Sequence, residues 1–340
     1  MNLIFKLYRE LFLLRQEGLF LLSIFLYLYF LTIFNLSDLK LVILGNGSAV
    51  PTRYANPTSQ MLYYRGRQFM IDCGEGTQMQ MIKYGIKSRR LDDIFISHLH
   101  GDHFFGLFGM LSTFHLFGRD KDLNLYSPQA LKPLIESVFE TAATRLNFKL
   151  NFFPLEDYKS TPLIETKSFI INCFDLDHSV PAWGFVFREK KGDLRIDKEF
   201  VKNRGLTVDQ INSIKAGNDF IDEEGKAYKS KDITLNPRPP ASYAFCSDTA
   251  YNESIAESIY KVNLLYHEAS FDESMLELAG SKKHSTATQA AKIAKIAKVD
   301  KLLLGHFSAR FKNYDLLLNE ARQVFPNSHV SVEGDPYIIK

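Results

Sequence analysis

Four of the six residues in His98-Leu99-His100-Gly101-Asp102-His103 carry imidazole or carboxylate groups, and the run follows directly on a short strand-like segment, Asp93 to Ser97. These are the side chains that suit Zn2+ and its first-row neighbours, and a loop with histidines at i and i+2 can aim both at one ion. Asp102 and His103 then remain for a second ion nearby. A ligand loop at the end of a strand points to a chain that mixes strands with helices and keeps its chemistry at strand ends.

The rest of the pattern agrees with that class. Leu39 to Leu44 is an aliphatic run leaving through Gly45-Asn46-Gly47, which predicts a buried first strand and a tight turn. Met61 to Tyr64 and Gln68 to Asp72 predict a hairpin, and Lys301 to Leu304 a late buried strand. Ala290, Ile293, Ala294 and Ala297 form a helical apolar stripe with Lys292, Lys295 and Lys298 facing away. The fold class is therefore α/β or α+β. Of 340 residues, 46% are hydrophobic and 24% charged, which excludes a disordered chain. The net charge of +2 gives no global drive toward nucleic acid, so any such binding must use local patches. Cys73, Cys173 and Cys246 are odd in number and far apart, which argues against a disulfide framework or a cysteine-zinc site and fits a reducing compartment.

Residues 1–38 pose a separate question. Leu19 to Leu36 is uncharged and almost wholly apolar, just long enough to span a bilayer, with Lys6, Arg9 and Arg15 before it. Those basic residues would hold the N-terminus inside and export everything that follows.

The ligand loop resembles that of the metallo-β-lactamase superfamily, a four-layer αββα sandwich with a two-metal site along its edge. Further motifs are similar to those of the ribonuclease Z family, short form. They are Leu44 to Thr52, Ile71 to Gln78, Asp177-His178-Ser179-Val180-Pro181, Ser247-Asp248-Thr249, His267-Glu268-Ala269-Ser270, His284-Ser285-Thr286 and Gly305 to Arg310. The resemblance covers Leu39 to the C-terminus. It implies one zinc held by His98, His100 and His178, a second held by Asp102, His103 and His306, and Asp248 bridging the two, with Mn2+ as an alternative metal. It also implies attack of a hydroxide on a phosphodiester, with Asp102 orienting or deprotonating the water and Glu268 with His284 protonating the leaving oxygen. Asp72 is read as supporting a histidine ligand through its other nitrogen. His115, His267 and His329 are read as packed or surface residues.

The function that the resemblance implies is removal of the 3′ trailer from precursor tRNA, in a homodimer and in the cytoplasm. The alternative is another hydrolase of the superfamily, acting on small phosphodiesters, thioesters or lactams. The family's substrate loop reads Pro-x-Lys-x-Arg-Asn, and here it is Pro51-Thr52-Arg53-Tyr54-Ala55-Asn56. Arg53 and Asn56 are the expected substrate contacts, whereas Ala55 cannot replace the arginine. Residues 188–232 occupy the place of the family's protruding tRNA-binding arm. Arg188 to Arg204 holds seven Lys or Arg against four Asp or Glu, but polar Gly205 to Gly225 replaces the Gly-Pro-rich tip. An intracellular substrate conflicts with an exporting anchor. Residues 1–38 are therefore expected to be a mis-assigned start or a dispensable extension outside the catalytic domain, 39–340, with membrane anchorage through residues 19–36 as the alternative.

Overall fold

A computed structural model describes residues 39–340. The expectations for residues 1–38 lie outside the described residues, among which no helix is long and apolar enough to cross a membrane. Strands β1 (Leu39–Gly45), β2 (Ser59–Tyr64), β3 (Arg67–Cys73), β4 (Leu91–Phe95), β5 (Leu123–Ser127) and β6 (Leu150–Pro154) build the first of two seven-stranded sheets. The second uses β7 (Ile164–Glu165), β8 (Phe169–Leu176) and β9 (Ala182–Glu189). After an insertion carrying β10 (Arg195–Ile196), β11 (Phe220–Ile221), β12 (Ala227–Tyr228) and β13 (Thr234–Leu235), it continues with β14 (Ser242–Cys246), β15 (Leu264–Glu268), β16 (Lys301–Gly305) and β17 (Ser328–Val330). The C-terminal β18 (Pro336–Ile339) returns to pair antiparallel with β1 and completes the first sheet.

The aliphatic runs are explained by burial on both faces. In β1, Leu41 and Ile43 point between the sheets, where Phe69, Phe95, Phe185 and Phe245 also meet. Val42 and Leu44 point the other way, into a core shared with helices Thr77–Lys83, Gly106–Leu116 and Leu131–Thr141. The outer face of the second sheet packs on helices Ala287–Ile296 and Asp315–Val324 through Ala290, Ile293, Ala294 and Leu317, which accounts for the predicted helical stripe. The layers are thus helix, sheet, sheet, helix.

Parallel pairing aligns the chemistry. β3 and β4 are parallel, as are β14, β15 and β16, and β8 runs in the same sense as β14 because both are antiparallel to β9. The C-terminal ends of both sets lie at one edge of the sandwich, as the approach of Asp248 to His98 and His103 shows, and Asp72, His98, His178, Asp248, Glu268 and His306 stand there at or just beyond a strand end. The ligand loop is pressed against this edge by close backbone approach. A Cβ on Gly74 would lie 2.4 Å from the Asp102 carbonyl oxygen, and one on Gly106 would lie 2.1 Å from that of Gly74.

The insertion is an ordered module and not a plain polar loop. Ile214, Phe220 and Ile233 form a small core with Ile196, Phe200, Leu206 and Tyr228. Within the polar stretch, helix Val208–Lys215 starts at Thr207, which forms a reciprocal capping box with Gln210. Arg188, expected to open this segment, instead belongs to β9, opposite Ser242, and donates to the carbonyls of Ser258 and Tyr260.

Candidate metal centre

Side chains from four chain segments converge in two groups. His98 Nε2, His100 Nδ1 and His178 Nε2 approach one another, with His98 to His100 at 3.2 Å and His178 to His100 at 3.1 Å. His103 Nε2 and His306 Nε2 stand 3.3 Å apart, and each is 3.5 Å from Asp102 Oδ2. Asp248 divides its oxygens between the groups. Its Oδ2 lies 3.6 and 3.8 Å from His98 and His178, and its Oδ1 lies 3.4 and 3.2 Å from His103 and His306.

The outer nitrogens decide what these rings can do. His103 Nδ1 is 2.7 Å from Asp72 Oδ2, and His178 Nδ1 is 2.8 Å from the Lys283 carbonyl oxygen. In the neutral rings, protons on those nitrogens leave Nε2 as a bare lone pair on each. Lone pairs facing one another across little more than 3 Å repel unless a proton or a metal cation stands between them. The spacing suits one, because ligand atoms about 2.05 Å from a tetrahedral ion lie about 3.4 Å apart. One group offers four donors and the other three, with Asp248 Oδ1 close to the second as well, so this cluster of imidazole and carboxylate could hold metal.

Electrostatics and backbone geometry reinforce the arrangement. Burial, with His103, His178 and His100 close by, holds His98 well below the usual histidine range and keeps it in the neutral form that a ligand needs. Burial works against charge on Asp102, yet His103 and His306 hold it well below the usual carboxylate range. Ala49, Asp72 and His306 have left-handed backbones, with φ of 65°, 57° and 55°. Such strain persists only where surrounding contacts over-determine it. Asp72 is pinned by Ser97 N–H at 2.7 Å and Ser97 Oγ at 2.9 Å, and Ala49 N–H donates to Asp102 Oδ2 at 2.7 Å.

Beside the metal groups lies an ion pair. Glu268, fully buried, accepts from Thr249 N–H at 2.7 Å and Ser270 Oγ at 2.6 Å, and its Oε1 is 2.9 Å from His284 Nδ1. Although burial opposes charge on both, the pair holds Glu268 down to about 2 and lifts His284 to about 9. The pairing thus favours the charged form of His284, and its side chain keeps 17% exposure where that of His103 has none.

Other expected residues sit apart. Arg53 is exposed at the rim, its guanidinium 5.4 Å from the Tyr54 ring centre. Asn56 is turned inward, where its backbone and side-chain N–H groups donate to Glu333 at 2.6 and 2.7 Å. Ala55 is buried in the same turn. His115 pairs with Asn147 and His329 with Asn327, while His267 is fully buried with its Nδ1 on the Glu268 carbonyl oxygen. None of these three joins a metal-type group among the described residues. The three cysteines are free. Sequence reasoning missed Ser97, Ser270 and Glu333. Ser97 adjoins the ligand loop and Ser270 lies within a quoted motif without a role assigned to it, but Glu333 is 277 residues from Asn56 and left no local signal.

The chain is 42% identical over 295 residues to the ribonuclease Z of Bacteroides fragilis strain YCH46, covering 87% of this chain and 97% of that one. The chain belongs to the ribonuclease Z family. Another relative, the ribonuclease Z of Porphyromonas gingivalis strain W83, is 38% identical over 83% of this chain and 93% of that one. A family described as anti-Pycsar protein Apyc1 matches residues 39–211. The fold is similar to that of the short form of human tRNase Z, with a TM-score of 0.64, 24% identity and coverage of 88% of this chain and 99% of that one. It is also similar to YhfI of Bacillus subtilis, described as a metallo-β-lactamase fold protein, with a TM-score of 0.63, 18% identity and coverage of 89% and 100%. Membership of the ribonuclease Z family agrees with a metal centre built from the donors described above.

Proposed function

We propose that the protein is an endoribonuclease that removes the 3′ trailer from precursor tRNA, leaving a 3′-hydroxyl on the tRNA and a phosphate on the trailer. The observation that carries this reading is the Glu268–His284 ion pair beside two donor groups that share Asp248, in a chain of the ribonuclease Z family. His98, His100 and His178 would hold one metal ion, and Asp102, His103 and His306 the other. Zn2+ suits these donors, and Mn2+ is the alternative. The chemistry supplied there by divalent cations is Lewis acidity toward a phosphoryl oxygen and acidification of water.

The chain's own residues supply the rest. Asp102, partly accessible and fixed by Ala49, orients the attacking water and accepts its proton. His284 gives the proton on Nε2 to the departing ribose 3′ oxygen, while Glu268 keeps the ring in register and charged. Arg53 pairs with a phosphate at the rim, and the insertion binds phosphates farther along the RNA. Two subunits, one presenting RNA to the other's centre, and a cytoplasmic setting where precursor tRNA is made complete this reading. A hydrolase of small substrates would need neither the insertion nor the ion pair.

Cleavage of a precursor tRNA transcript, with end-mapping of the products, tests the assignment. A cut after the discriminator nucleotide, abolished by a chelator and restored by Zn2+ or Mn2+, is the expected result. Hydrolysis of a small phosphodiester with the transcript left intact would overturn it.

The insertion can be removed cleanly, because Glu189 N–H already donates to the Ala241 carbonyl across its base at 2.9 Å. Replacing residues 191–239 by a short turn should weaken precursor tRNA binding and flatten its salt dependence, since phosphate contacts set both. Turnover of a small model phosphodiester should stay near the parent rate. Steady-state kinetics on both substrates at two salt concentrations checks this, and equal losses on both would make the insertion part of the catalytic core.

A further inference from the structure

We propose that Ser270 is a positioning residue that ties the metal centre to the proton donor through one directional chain of hydrogen bonds. His306 turns Nε2 toward His103 and Asp248, at 3.3 and 3.2 Å. When that nitrogen is a ligand, the ring proton must reside on Nδ1. Nδ1 lies 3.0 Å from Ser270 Oγ, so the hydroxyl oxygen is the acceptor there. The single hydroxyl proton then has two acceptors within reach, Glu268 Oε2 at 2.6 Å and the His306 carbonyl oxygen at 2.9 Å. The charged and nearer carboxylate takes it. The other oxygen of Glu268 receives His284 Nδ1–H.

The chain therefore runs from His306 through Ser270 to Glu268, and from His284 to the same Glu268. One buried carboxylate orients a metal-ligand ring and the proton-donor ring together. Water cannot stand in for the hydroxyl in the native packing, because Ser270 and His306 are each 1% exposed and Glu268 has no exposure. Ser270 also contacts the backbone of His306, whose left-handed conformation has φ of 55°. Loss of Oγ frees that ring and removes one of the donors that fix Glu268.

The activity arm of the test rests on the ribonuclease reading, and the metal arm does not. Metal-free wild type, S270A and S270T are titrated with Zn2+ against a chromophoric chelator, and the reloaded proteins are assayed on precursor tRNA. S270A should bind one of two zinc ions about 10–100-fold more weakly. Its kcat should fall about tenfold or more with KM within about twofold, the pattern of lost alignment and not of lost binding. S270T keeps the hydroxyl and should restore both values. Wild-type zinc affinity in S270A, or a threonine variant as impaired as the alanine one, would overturn the proposal. If the wild type binds two zinc ions yet leaves precursor tRNA intact, the ribonuclease reading falls and the zinc titration alone decides the role of Ser270.

Discussion

Asp248→Ala should lose tightly bound metal and RNA cleavage together. The carboxylate faces both groups, with Oδ2 toward His98 and His178 and Oδ1 toward His103 and His306. Its removal takes a donor and a negative charge from each group at once, and five histidines remain turned toward one another without it. Losing an outer partner of a ligand typically costs 10–100-fold in affinity, so losing a shared ligand should cost more than that at both sites. Metal content after gel filtration and cleavage rate should fall in parallel. A variant that keeps two tightly bound ions and normal turnover would refute the shared role of Asp248.

His284→Ala should separate chemistry from metal binding. The ring is held by Glu268 at 2.9 Å and carries a proton at neutral pH, so its loss removes a general acid whose contribution is about 10²–10⁴ in kcat. KM and metal content should stay near the parent values. The geometry leaves one competing role open to measurement, because His284 also lies within reach of Asp248 and His306 as a third metal-type group. Loss of metal from the variant would make His284 a ligand, and a change confined to KM would make it a binding residue. A substrate with a good leaving group should recover most of the lost rate, since a stable leaving oxygen needs no proton.

Much of this was written locally. The aliphatic runs of β1 and β16 announce strands buried on both faces, and the alanine stripe announces the helix that packs on the second sheet. The His98 to His103 loop supplies potential donors to both groups from six consecutive residues, because a strand end followed by a tight helical turn can aim neighbouring side chains at neighbouring points. The helix that starts at Thr207 was not read from the sequence, because polar composition hid it and seven scattered apolar side chains form its small core only after folding.

Relations across the fold were not local. His178, Asp248 and His306 could be nominated only through motif resemblance, and the division of Asp248 between two groups depends on where β8, β14 and β16 end in space. Asn56 has the composition of a substrate contact, but the return of the C-terminal segment brings Glu333 against it and turns its donors inward. The hydroxyl of Ser270 gained a role only when β15 and β16 paired and placed it between His306 and Glu268. Sequence by itself determined which residue types could supply metal ligands, strands and helices, because those properties depend on neighbours a few residues apart. Tertiary structure alone decided which lone pairs face one another and which donors are already spent, because hydrogen bonds and metal sites are set by distances of about 3 Å between atoms that are often far apart in the chain.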